Sequence, residues 1–201
     1  MTAIDSTAER STRAHQYLQE GRDDLAIPLF EEVLADSVRV LGEDHPGTLA
    51  SRNNLAYAYY AAGRLGEAIT LFEGVLADRV RVLGEDHPDT LASRNNLAGA
   101  YESAGRLGEA IPLLEEVFAD RVRVLGTNHP DTLTSRNNLA AAYRAADRHH
   151  EAITLFKDTL EVCEEALSPD HPLTIQVRRN LKALEREMNP APASSPESSE
   201  E

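Results

Sequence analysis

Apolar residues recur along this chain at three- and four-residue steps, broken at regular intervals by glycine and by His-Pro pairs. Between Leu65 and Leu83 the apolar residues Ala68, Ile69, Phe72, Val75, Leu76 and Val80 follow the spacing of one buried helical face. Upstream, Leu49, Leu55, Ala56 and Tyr59 mark a second such face. It opens after Pro46, which suits a helix's first turn, and stops near Gly63, a natural residue for the position just past a helix end. The two segments predict a helical hairpin.

The hairpin is repeated. His45-Pro46, His87-Pro88, His129-Pro130 and His171-Pro172 stand 42 residues apart, and an Asn-Asn-Leu-Ala block recurs inside the period at Asn53, Asn95 and Asn137. A period of this size predicts a solenoid, in which each hairpin buries its apolar face only by stacking on its neighbours. The repeats are read as about 7–42, 43–84, 85–126 and 127–168, followed by a capping helix over 172–187, all in a single solenoid over 7–187. Residues 1–6 are expected to be flexible, and 189–201, rich in Pro, Ser and Glu, to be a disordered acidic tail. Arg13 and Lys182 take the places that inner repeats give to Leu55 and Ala56 and their equivalents, so both ends carry polar caps.

The run Asn-Asn-Leu-Ala-x-Ala-Tyr-x-x-Ala-Gly-Arg-Leu-x-Glu-Ala-Ile, followed by Leu-Gly-x-Asp-His-Pro-Asp-Thr, resembles the tetratricopeptide repeat family. Its 42-residue form is similar to the kinesin light chain subfamily, with bacterial arrays of the same kind. The resemblance implies an all-α fold, a right-handed α-solenoid of antiparallel helix hairpins. It also implies that the first helix of each hairpin lines a concave groove and that asparagines there bind peptide backbone.

A helical wheel drawn at about 100° per residue sets Asn53, Asn54, Tyr57, Tyr60 and Ala61 opposite the core direction. The second and third repeats differ on this face at Tyr57/Gly99, Tyr60/Glu102 and Ala61/Ser103, and the fourth continues with Ala141, Arg144 and Ala145. The partner-binding candidates are therefore Asn53, Asn54, Tyr57, Tyr60, Asn95, Asn96, Glu102, Asn137, Asn138 and Arg144. Asn offers both donor and acceptor to an extended peptide, or it could hold one repeat to the next. Arg52, Arg94, Arg136 and Arg178 fall toward the core side, where an aliphatic stem packs and the guanidinium reaches a carboxylate.

Charge narrows the partner class. The net charge of −14 and pI near 4.9 repel nucleic acid, and the partner is expected to be a protein or peptide. No apolar run is long enough to span a membrane, the N-terminus lacks a signal-peptide core, and the lone Cys163 suits a reducing compartment; the expected location is cytoplasmic. The four periodic histidines are read as helix caps, not metal ligands, and His149-His150-Glu151 lacks the HExxH spacing. No phosphate loop or catalytic set can be placed, so neither enzyme activity nor a cofactor is expected. The function expected is a protein–protein interaction scaffold. Two alternatives stay open: a self-assembling structural protein, including a homodimer, and a regulatory module for a separately encoded ATPase or transcription factor.

Overall fold

The computed structural model describes residues 6–189; of the expected flexible start at 1–6 and acidic tail at 189–201, all but Ser6 and Asn189 lie outside the described residues. The described residues form helices α1 (Thr7–Gln19), α2 (Asp23–Leu41), α3 (Pro46–Ala61), α4 (Leu65–Leu83), α5 (Pro88–Ser103), α6 (Leu107–Leu125), α7 (Pro130–Ala145), α8 (His149–Ala166) and α9 (Pro172–Met188). No strand occurs among the described residues. The fold class is all-α, built from antiparallel hairpins of the α-solenoid kind. The chain gathers into two compact units, Met1–Val124 and Leu125–Glu201.

Helix starts follow from the His-Pro pairs. The Nδ1 of His45 accepts the backbone N–H of Gly47 at 3.0 Å, and His87, His129 and His171 accept from Asp89, Asp131 and Leu173 at 3.1 to 3.2 Å. Each ring satisfies one of the orphan N–H groups of a helix's first turn while proline, which has none, takes the first helical position.

The turn inside each hairpin is a Schellman motif. Gly63 N–H bonds to Tyr60 O and Arg64 N–H to Tyr59 O, and the same pair of bonds closes α1 and α5. This geometry needs a positive φ, which Gly63 supplies at 71°; in α7 the position is taken by Asp147, at 58°. The Schellman motif usually adds an apolar contact between its first and last residues. Here a guanidinium over an aromatic face replaces it: Arg22, Arg64, Arg106 and Arg148 lie 4.0 to 4.6 Å from the ring centroids of Tyr17, Tyr59, Tyr101 and Tyr143.

In the first unit, Ala56, Ala68, Ile69 and Phe72 pack with Leu97, Ala100 and Tyr101 of the following hairpin. Ala14, Ala26, Ile27 and Phe30 pack with Leu55 and Ala58. Fully buried alanines let the helices approach closely, while each buried Phe contributes roughly 2–3 kcal/mol of transfer free energy. In the second unit Leu133, Ala140, Ala152, Phe156 and Cys163 pack with Leu173, Val177, Leu181 and Leu184 of α9. Burial pushes the Cys163 thiol above its ordinary pKa, so it stays an unreactive part of this core.

Polar pairs brace the hairpins. Arg52 reaches Asp78 at 2.6 Å, Arg94 reaches Asp120 at 2.8 Å and Arg136 lies 3.8 Å from Asp158; Arg178 pairs with Glu164. The core-side arginines thus do hold carboxylates. Arg81 and Arg123 clip Asp44 and Asp86, which precede their own hairpins, to the ends of α4 and α6. Arg79 is buried between α4 and α5, donating to Ser93 Oγ at 2.7 Å and to the Asp89 carbonyl at 2.9 Å.

Candidate functional site

The expected binding residues sit on the first helices of the hairpins, and the structure divides them into two groups. One group links successive first helices. In the first unit Asn96 donates its Nδ2–H to Asn53 Oδ1 at 3.2 Å, joining α5 to α3. The Tyr60 hydroxyl and Ser103 Oγ share a hydrogen bond of 2.9 Å along the same seam. In the second unit Asn180 donates to Asn137 Oδ1 at 3.1 Å, and Arg144 grips Glu187 through two hydrogen bonds, one of 2.9 Å.

These contacts place Asn53 and Asn137 differently from the wheel. Asn137 is only 2% exposed, so it is a buried acceptor in the seam and does not present an amide to a ligand. Asn53 is half-buried for the same reason. A wheel drawn for one helix has no term for the next hairpin, which covers part of the side judged open. Arg144 likewise has a carboxylate partner of its own chain. Asn95, half-buried, and Asn138, half-buried in the second unit, are also engaged in polar contacts.

The other group stays available. Tyr57 is 51% exposed, and its ring lies 6.0 Å from that of Tyr60, a tilted aromatic pair facing outward. Asn54, the counterpart of Asn96, makes no side-chain hydrogen bond among the described residues. Its register partner in α1 would be Ser11, not an asparagine. Glu102, half-buried and without a hydrogen-bond partner among the described residues, has its pKa raised by burial. It adjoins Ser103, which holds the Tyr60 hydroxyl. A partly desolvated carboxylate without an internal partner among the described residues offers an attractive place for a guanidinium or ammonium.

Sequence reading missed the partners Ser103, Asn180 and Glu187. The signal that would have found them is an offset of one repeat plus one residue, since Asn53–Asn96, Tyr60–Ser103, Asn137–Asn180 and Arg144–Glu187 are all 43 apart. Among the described residues no cluster of three His, Cys, Asp or Glu could hold a metal ion. No described helix is long and apolar enough to cross a membrane.

The stacked hairpins and their seams define a helical-repeat scaffold. A family model for the tetratricopeptide repeat matches residues 6–77, 52–121, 105–164 and 131–195, and the chain belongs to that family. Its members are generally protein–protein interaction scaffolds. A crystal structure of a Podosopora anserina putative kinesin light chain with nearly identical TPR-like repeats is 35% identical, with a TM-score of 0.78, covering 89% of this chain and 84% of that one. BtubC (BKLC) from P. vanneervenii shares the fold at 18% identity and a TM-score of 0.72, over 96% of this chain and 85% of its own. A Rap protein complexed with Competence and Sporulation Factor shares it at 12% identity and a TM-score of 0.66, over 89% and 53%. No match was found among curated proteins.

Proposed function

We propose that this chain is a non-catalytic scaffold that holds an extended segment of a partner protein against the exposed face of α3 and α5. The observation that carries the reading is the set Asn54, Tyr57, Tyr60 and Glu102. These residues lie on first helices, and their side chains are only partly engaged within the chain. Tyr57 and Tyr60 supply amphipathic contact area at a low cost in side-chain entropy. Asn54 supplies a donor and an acceptor for peptide backbone. Glu102 selects a basic side chain, in keeping with the net charge of −14.

The test is capture of partners from the source lysate by wild type and by two variants, Tyr57→Ala and Glu102→Gln. Both variants must first be shown to keep their helicity and to melt no lower than wild type. A protein retained by wild type and lost from both variants supports the reading and supplies the partner. Equal retention by all three moves binding to another face.

A further inference from the structure

We propose that the outward stripe of α9 is a second docking face, distinct from the face of α3 and α5, and that it takes an acidic amphipathic helix of a partner protein. Three cations on this stripe, Arg179, Lys182 and Arg186, have no polar partner among the described residues. Each of the other Lys and Arg side chains has a hydrogen bond, an ion pair or another contact of its own. In a chain with 34 acidic and 20 basic residues, positive charge that is unpaired among the described residues and confined to one helix face is the exception that needs an explanation.

At about 100° per residue, Ile175, Arg179, Lys182 and Arg186 fall within roughly 60° of one another. Ile175 is 51% exposed. With Arg178 and Ala183 these residues line a shallow depression of about 300 Å³.

The stripe continues an interface the chain already uses. One repeat upstream, Ile175 corresponds to Leu133, which is 0% exposed, and Lys182 to Ala140, also 0%. Arg179 corresponds to Asn137 and Arg186 to Arg144, the two residues that join α7 to α9. The stripe is thus the surface on which a further helix would stack, with its small and amide positions replaced by cations. An apolar anchor ringed by cations fits a helix that carries an apolar row flanked by Glu or Asp. A second copy's α9 does not fit, because it would set cation against cation. A cap serving solubility alone would leave the isoleucine unexplained.

The probe is a fluorescein-labelled amphipathic helical peptide with a Leu row flanked by Glu, titrated against the full chain by anisotropy at physiological ionic strength. Two variants are compared: Arg179→Glu/Lys182→Glu/Arg186→Glu together, and Ile175→Ser alone. All four side chains are outside the core, so circular dichroism and melting should match wild type. The expected result is micromolar binding that each variant weakens at least tenfold and that the peptide with Lys in place of Glu does not show. Failure of wild type to bind overturns the proposal. So does binding of polyglutamate or single-stranded DNA as tight as that of the peptide and insensitive to Ile175→Ser, which would reduce the stripe to non-specific charge. Binding by a chain lacking residues 190–201, but not by wild type, would assign the stripe to the chain's own acidic tail. A concentration-dependent dimer in sedimentation, abolished by the triple reversal, would assign it to a second copy.

Discussion

Asn96 in α5 donates its side-chain amide to the carbonyl of Asn53 in α3, 43 residues earlier, at 3.2 Å. The bond lies in a half-buried seam between hairpins. Asn96→Ala therefore leaves the Asn53 oxygen without its donor and should lower stability by about 1–2 kcal/mol. Asn54→Ala, which removes a side chain with no hydrogen bond among the described residues, should change stability by less than about 0.5 kcal/mol. Urea unfolding of both variants checks this; equal losses would mean the seam bond contributes nothing specific.

The four hairpin turns share one geometry but not one residue. Asp147 holds a φ of 58° where the other three turns have glycine, and its side chain, whose carboxylate lies 3.6 Å from His149 Nε2, is 93% exposed. Asp147→Gly relieves the left-handed strain and should raise stability by roughly 0.5–1 kcal/mol, while Gly63→Ala should lower it by about 1 kcal/mol. Thermal melts of the two variants should move in opposite directions.

Thr48 and Thr90 are fully buried near the starts of α3 and α5, and their hydroxyls find no hydrogen-bond partner among the described residues. A buried hydroxyl without a partner costs free energy that a methyl group of similar size does not. Thr90→Val should raise the unfolding free energy by about 1 kcal/mol. A lower denaturation midpoint for this variant would show that the hydroxyl is satisfied after all.

Acid should loosen the scaffold. Hydrogen bonds from Arg81 and Arg123, reinforced by their charge, hold Asp44 and Asp86 below the ordinary aspartate pKa of 3.8. A depressed folded pKa contributes stability that is present above the unfolded value and lost as pH falls through the folded one. The melting temperature should fall as pH drops below 3.8, and Asp86→Asn should flatten that fall.

Glu102 carries the opposite sign. Burial lifts its pKa above the ordinary 4.5, so its contribution is present below that value and lost as pH rises through the folded one. Glu102→Gln should melt higher than wild type at neutral pH, and the difference should vanish near about pH 3.5. A constant difference across the range would show that this carboxyl is not desolvated.

The amino-acid sequence by itself determined the repeat and its punctuation. Apolar spacing, the His-Pro starts and the glycine turns are local signals, because capping, φ preference and helical periodicity each act within a few residues. The helix after the last His-Pro pair, for instance, runs Pro172–Met188. The core-side placement of Arg52, Arg94 and Arg136 was legible for the same reason. What only the tertiary structure decided was which side chains on the first helices are consumed by the stacking. Asn53 and Asn54 are neighbours of identical chemistry, yet one accepts a bond from Asn96 and the other makes none among the described residues. Lys182 is expected from the sequence to be a polar cap, but only the assembled helices show that it, Arg179 and Arg186 have no polar partner among the described residues beside an exposed Ile175. Periodicity is a property of one segment, whereas hydrogen-bond satisfaction and burial belong to the helices that pack around it.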